Sequence, residues 1–205
     1  MKRGLCFTLA GVLAAAVMGC EKESTTTTTS GGGTYGSGAS ATTTPATTDG
    51  GATAQGKQAT ATLQPSKAPG QDNVAGKVTF TQEGSGLRVK AEVTGLTPNG
   101  KHGFHIHEKA DLSAPDLMSV GGHFNPGGHK HGGPEGTERH GGDLGNLEAD
   151  ADGKASYDEV IQGLTLNDPK TGVIGKSVIV HEKEDDLKSD PSGNSGARIA
   201  GGVIQ

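Results

Sequence analysis

The chain has 205 residues, a formal net charge of −5, 36 glycines, no tryptophan and 3% aromatic residues. The negative balance gives no electrostatic reason to expect nucleic-acid binding. The length allows one domain plus extras, and glycine-rich stretches between short apolar runs fit an all-β sandwich or barrel whose loops carry function.

Met1 to Cys20 reads as a targeting segment. Lys2 and Arg3 form a short basic region, and Leu5 to Met18 is apolar but too short to span a bilayer. It ends in Val17-Met18-Gly19-Cys20, which resembles a bacterial lipobox. That implies a signal peptide over 1–19, cleavage before Cys20, lipidation of Cys20, and a membrane anchor in the bacterial cell envelope, most simply on the periplasmic face of the outer membrane or at the cell surface. Residues 20–70 read as the lipidated cysteine plus a Thr/Gly/Ser-rich tether. Its apolar content is too low to bury a core, so disorder is expected. Residues 71–205 read as the folded domain.

Ala59–Leu63, at the end of the tether, is a candidate edge strand, and Val74–Thr81 is a clearer strand. Leu87-Arg-Val-Lys-Ala-Glu-Val93 alternates strictly, so Leu87, Val89, Ala91 and Val93 should face a core. Gly95–Gly100 is a turn cluster followed by a strand from Lys101. Leu147–Ala149, Ala155–Ile161, Ser177–His181 and Arg198–Ile204 complete the set. Asp150-Ala-Asp-Gly153 has the chemistry of a hairpin turn. No helix-period segment is convincing after residue 70.

The histidines decide where function lies. Seven of eight fall between Lys101 and Leu144, and the eighth is His181. In Gly103-Phe-His-Ile-His-Glu108 the two imidazoles share one strand face about 6–7 Å apart, and Phe104 and Ile106 take the other. Gly121–Pro134 is a glycine- and proline-rich loop from which His123, His129 and His131 project. Arg139-His-Gly-Gly-Asp143 sets His140 and Asp143 in a further glycine-rich turn. His105, His107, His123, His131, His140, His181 and Asp143 together exceed the needs of one metal ion. No Cys or Met lies among them, which disfavours a Cu(I) carrier or a thiolate zinc site. An all-imidazole set suits Cu(II), and imidazoles with one carboxylate suit Zn(II). Two adjacent sites is the economical reading.

The segments GFHIHE (103–108), GGHFNP (121–126), HKHGGP (129–134), RHGGDLGN (139–146), VIVHEKEDDL (178–187) and GNSGARIAGGVI (193–204) resemble, in order and spacing, the copper,zinc superoxide dismutase family, bacterial subtype. The resemblance spans about residue 72 to the C-terminus. It implies an eight-stranded Greek-key β-barrel with long metal-binding and electrostatic loops. It implies copper bound by His105, His107, His123 and His181, and zinc bound by His123, His131, His140 and Asp143, with His123 bridging. Asp185 matches a carboxylate that joins a copper-ligand ring to a zinc-ligand ring, and Arg198 matches the arginine that guides the anion. His102 matches a structural histidine, and His129 is left as a solvated loop residue. The implied reaction is dismutation: two superoxide ions and two protons give dioxygen and hydrogen peroxide, with copper alternating between Cu(II) and Cu(I) and with Arg198 and His123 as the catalytic side chains. Lys183 and Lys188, between His181 and Arg198, read either as solvated loop charges or as an extension of a positive funnel. The resemblance is compatible with a monomer or a homodimer.

One departure stands out. Cys6 and Cys20, the only cysteines, both lie in the targeting segment. The disulfide usual in the family is therefore absent, with Leu112 and Gly201 at its two positions. Such a bond typically contributes about 2–5 kcal/mol in a small domain. Its loss puts in question the stability without metal and the hold on Arg198. The alternative reading is a cell-envelope copper/zinc buffer with little dismutase activity.

Overall fold

Period-two apolar patterning and glycine punctuation produce a barrel here. The computed structural model describes residues 57–68 and 73–205. The targeting segment, Cys20 and residues 21–56 lie outside the described residues. Eight strands follow in order: β1 Gln58–Pro65, β2 Ala75–Glu83, β3 Gly86–Thr94, β4 Lys101–His107, β5 Asp143–Glu148, β6 Ala155–Gln162, β7 Ser177–His181 and β8 Arg198–Val203. One 3-10 turn, Met118–Val120, is the only helical element among the described residues.

The strand order is β5-β4-β7-β8-β1-β2-β3-β6, and every pairing is antiparallel. The non-sequential neighbours are the crossovers of a Greek key. In β3 the expected alternation holds: Leu87, Val89, Ala91 and Val93 are buried, while Lys90 and Glu92 are exposed. These side chains join Phe80, Phe104, Ile106, Leu144, Val178 and Val180 in one core. Burying each of the Leu, Val, Ile and Phe side chains among them stabilises the fold by roughly 1.5–3 kcal/mol. This is the dominant stabilising term, because the outer-face ion pairs such as Arg88–Asp158 are exposed and contribute little.

The sequence reading needs three corrections. β1 is not an edge strand, since it pairs with β2 on one side and β8 on the other. It also lies before residue 70, so the folded unit starts earlier than the boundary drawn there. Small alternating residues such as Ala59 and Ala61 suit a central strand and an edge strand alike, so pattern alone did not place it. The Asp150–Gly153 turn forms, with Asp150 Oδ1 accepting from the Asp152 and Lys154 N–H groups. It joins strands at opposite ends of the order, however, so it does not close a paired hairpin. Side chains bridge that seam instead. The Tyr157 hydroxyl on β6 donates to the Leu144 carbonyl on β5 at 2.8 Å, and its ring meets Phe104 edge-on at 5.4 Å.

Both ladder irregularities in this half of the barrel adjoin functional candidates. The β4–β5 register shifts between Gly103 and His105, and the β7–β8 register shifts between Val180 and His181. Such irregularities re-aim side chains, and beside these two the His105 ring meets Asp185 and the His181 ring meets the Gly196 carbonyl, both in the segment after β7.

Candidate metal centre

β4 contributes His105 and His107, with ring centroids 6.4 Å apart, within the range expected for alternate residues on one strand. His181 ends β7, and His105 pairs across the sheet with both Asp143 and Ile179. The long loop between β4 and β5 returns His123 alongside His107 through an isolated bridge, then supplies His131 and His140. Asp143 opens β5 rather than sitting in a turn.

The result is two four-residue donor sets sharing one member. In each set, one ligand-type atom per residue lies within 4.8 Å of all the others: His105, His107, His123 and His181 in the first, His123, His131, His140 and Asp143 in the second. All seven residues are buried. Every predicted ligand is therefore brought together. His102 and His129 belong to neither set. The buried His102 ring bonds the His181 carbonyl through Nδ1 at 2.8 Å, and His129 is exposed.

The ring nitrogens divide cleanly into held and free. His105 Nε2 and His131 Nε2 donate to the two oxygens of Asp185, at 2.8 and 2.9 Å. His107 Nδ1 donates to the Gly121 carbonyl at 3.0 Å, and His181 Nδ1 to the Gly196 carbonyl at 3.3 Å. A ring whose one nitrogen is fixed as N–H presents a lone pair at the other, the usual arrangement around a ligating histidine. Accordingly, His105 Nδ1 and His123 Nε2 are buried without any hydrogen-bond partner, and His131 Nδ1, buried 3.1 Å from Asp143 Oδ1, makes no bond of acceptable geometry. Such orphaned atoms are costly unless something else binds them. His107 Nε2 and His181 Nε2 face each other at 3.4 Å, a distance we read as two lone pairs aimed at a common point. On the other side, His123 Nδ1 and His140 Nδ1 lie 2.8 and 3.2 Å from Asp143 Oδ1. The second Asp143 oxygen is held by the backbone N–H groups of Gly132 and His140. The donor types and free nitrogens fit copper at the all-imidazole set and zinc at the set containing the carboxylate.

Electrostatics agree with neutral, lone-pair-bearing rings at His105, His107 and His181. Burial pushes His105 down to about 4 and holds His107 and His181 well below the ordinary imidazole value. His131 goes the other way. Burial opposes its charge, but the Asp143 carboxylate, whose Oδ1 lies 3.1 Å from Nδ1, and the Asp185 carboxylate bonded to Nε2 outweigh it and raise the ring to about 10. Without metal, a proton sits where a cation would. Asp143 and Asp185 are buried, which opposes ionisation, yet the imidazole hydrogen bonds hold both carboxyls below the usual range.

Three supporting residues escaped sequence reasoning, although all lie inside the quoted segments. Asn146 clamps the Asp185 backbone in both directions, accepting from its N–H at 2.8 Å and donating to its carbonyl at 3.0 Å. Arg139 gathers the carbonyls of Pro134, His140 and Gly141. Gly193 sits with φ 62° directly against the Asp185 carboxylate, so a Cβ there would collide with it.

Arg198 is half-buried at the start of β8. Its guanidinium donates to the Leu117 and Gly121 carbonyls, both at 2.8 Å. Gly121 O thus takes one bond from Arg198 and one from the His107 ring. A cleft lined by His123, His140, His181 and Arg198 opens to solvent here. Its charged rim decides between the two readings of the loop lysines in favour of solvated loop charges. Glu108 and Asp116 line it, whereas Lys183 and Lys188 do not. The aliphatic stem of Lys183 instead packs toward Gly196.

A family model described as copper/zinc superoxide dismutase matches residues 74–204. An extracellular Cu-Zn superoxide dismutase of Drosophila melanogaster is 49% identical over 139 residues, covering 64% of this chain and 75% of the relative. A Cu-Zn superoxide dismutase of Paramecium bursaria Chlorella virus 1 is 43% identical, covering 64% and 72%. An extracellular Cu-Zn superoxide dismutase of Caenorhabditis elegans is 44% identical, covering 63% and 60%. Among solved structures, one described as the clock protein EA4 superposes with a TM-score of 0.64 at 39% identity, covering 76% of this chain and 98% of that one.

Proposed function

The chain belongs to the copper/zinc superoxide dismutase family, and from that premise we propose which of its residues hold the metals and carry the turnover of superoxide to dioxygen and hydrogen peroxide. His105, His107, His123 and His181 hold copper. His123, His131, His140 and Asp143 hold zinc. The observation that carries this reading is the pair of buried donor sets sharing His123, with the orphaned nitrogens of His105, His123 and His131 turned inward.

When bound, copper supplies the one-electron couple that dismutation needs, while zinc supplies positive charge without redox chemistry. The chain supplies the rest. Arg198 spends two donors on carbonyls and keeps others of its five N–H groups for an anion in the cleft. His123 sits between the two sets with Nδ1 toward Asp143, which leaves Nε2 as the atom that takes and returns a proton. The Asp185 carboxylate fixes the tautomers of His105 and His131, so their free nitrogens stay aimed while the proton moves.

Replacing Arg198 by Ala should lower the second-order rate of superoxide loss by about tenfold or more, since a fixed charge at the entry serves both capture and orientation, with both metals retained. Pulse radiolysis measures this. An unchanged rate in a fully metallated Arg198→Ala variant would remove Arg198 from the mechanism.

The same reading extends to location. The lipobox-like Val17–Cys20 supports a bacterial member anchored in the cell envelope through Cys20, and the word extracellular in the names of the fly and nematode relatives supports a site outside the cytoplasm. Cys20→Ala is expected to move the chain from the membrane fraction to the soluble fraction. Retention in the membrane fraction would rule out the anchor.

A further inference from the structure

A small apolar cluster lies apart from the barrel core. Leu117, Val120 and Ile179 are buried together, and Leu112 packs against them. Ile179 alternates with the core residues Val178 and Val180 on β7, so it faces away from the core. Its cross-strand neighbour on β8 is Gly201, which forms the floor of a slot. A Cβ at Gly201 would lie 2.7 Å from Ile179 Cδ1, 3.3 Å from Leu117 Cδ1 and 3.4 Å from Leu112 Cδ2. The loop that delivers the leucines is closed by Lys109 N–H to the Val120 carbonyl and tied at its middle by Lys67 N–H to the Pro115 carbonyl. Leu117 has φ 59°, a left-handed conformation uncommon for a side chain of its size. It persists because the side chain is held, at 5% exposure. The consequence is a Leu117 carbonyl aimed at the Arg198 guanidinium, while Gly121, four residues on, supplies the second carbonyl.

We propose that this cluster positions Arg198: with no cysteine in the folded unit, Leu117 and its partners Leu112, Val120 and Ile179, seated over Gly201, hold the two carbonyls that fix the guanidinium. Leu117 is a positioning residue, acting on the anion only through Arg198. The inference rests on Arg198 as the anion-binding group.

The test is the affinity of azide, a small inorganic anion, followed by the copper(II) absorption of the chain loaded with copper and zinc. Four variants are compared: Arg198→Ala, Leu117→Ala, Leu117→Met, and Leu87→Ala as a barrel-core control of similar size. Leu117→Ala should weaken azide binding by about tenfold, as expected when a binding group is displaced by a remote change, at unchanged metal content. Leu117→Met, which refills the slot, should restore it, and Leu87→Ala should leave it alone. Azide affinity unaltered by Leu117→Ala, or weakened equally by Leu87→Ala, overturns the proposal. If Leu117→Ala does not fold, Leu112→Ala trims only the half-buried edge of the cluster, and an unaltered affinity there overturns it equally. Arg198→Ala separates the two levels. If it leaves azide binding intact, the role of Arg198 falls and the proposal falls with it; if it weakens binding while Leu117→Ala does not, only the cluster's role falls.

Discussion

Asp185→Asn is expected to lower the affinity for zinc by about 10–100-fold, the range seen when a carboxylate behind ligating histidines is removed, and to disturb copper binding as well. Both Asp185 oxygens are occupied, one by His105 Nε2 and the other by His131 Nε2. An asparagine keeps one acceptor but replaces the other with an NH2 donor. One imidazole N–H then faces a donor. That ring must either lose a buried hydrogen bond, at about 1–3 kcal/mol, or flip tautomer and turn its N–H toward the metal. Since the two rings belong to different donor sets, either choice damages one site directly. Gly193→Ala should have the same effect by a different route, because its Cβ would occupy the place of the carboxylate. Competition with a chromophoric chelator measures both. Zinc affinity in Asp185→Asn within about twofold of the parent, against the expected loss of about 10–100-fold, would show that the bridge does not organise the site.

Removing both metals is expected to lower the melting temperature by about 20 °C, as linkage to two ions held well above their dissociation constants implies for a domain of this size. Without metal the chain keeps seven buried ligand side chains and the orphaned nitrogens of His105, His123 and His131, and it has no disulfide in the folded unit to compensate. A shift below about 5 °C, far short of that linkage, would contradict this. The metal-free chain should also show a distinctive pH profile. His105, His107 and His181 are depressed by burial. Their contribution is therefore complete above the ordinary value of 6.5 and is lost as pH falls, through about 4 for His105. His131 is raised to about 10, so its contribution is complete below 6.5 and is lost as pH rises through about 10. The metal-free melting temperature should peak near 6.5 and fall on both sides. Bound zinc takes the place of the His131 proton and should flatten the alkaline side.

Much of the metal centre was legible because imidazoles and glycine-rich turns are unmistakable as residue types, and their spacing along β4 translates directly into a shared face. β3 was legible for the same reason, since a period of two has one geometric meaning. The failures occur where the chain's path, not residue type, decides the outcome. Lys183 and Lys188 left two readings open, because nearness to His181 in sequence does not say whether they reach the cleft; the loop between β7 and β8 keeps them off its rim, and Glu108 and Asp116 line it instead. The role of Gly193 depends on how closely the returning loop approaches Asp185. The joining of Leu112, Leu117 and Ile179 over Gly201 required three segments to be folded first.

The most direct test of two adjacent sites sharing His123 is to count copper and zinc in the purified chain by mass spectrometry and assay superoxide loss on the same sample. The account predicts one copper and one zinc per chain with turnover near the diffusion limit, and His123→Ala losing both the second ion and the turnover. A His123→Ala variant that keeps both ions would contradict the shared ligand, and both metals bound with negligible turnover would contradict the dismutase reading and leave a metal-binding protein built on the same barrel.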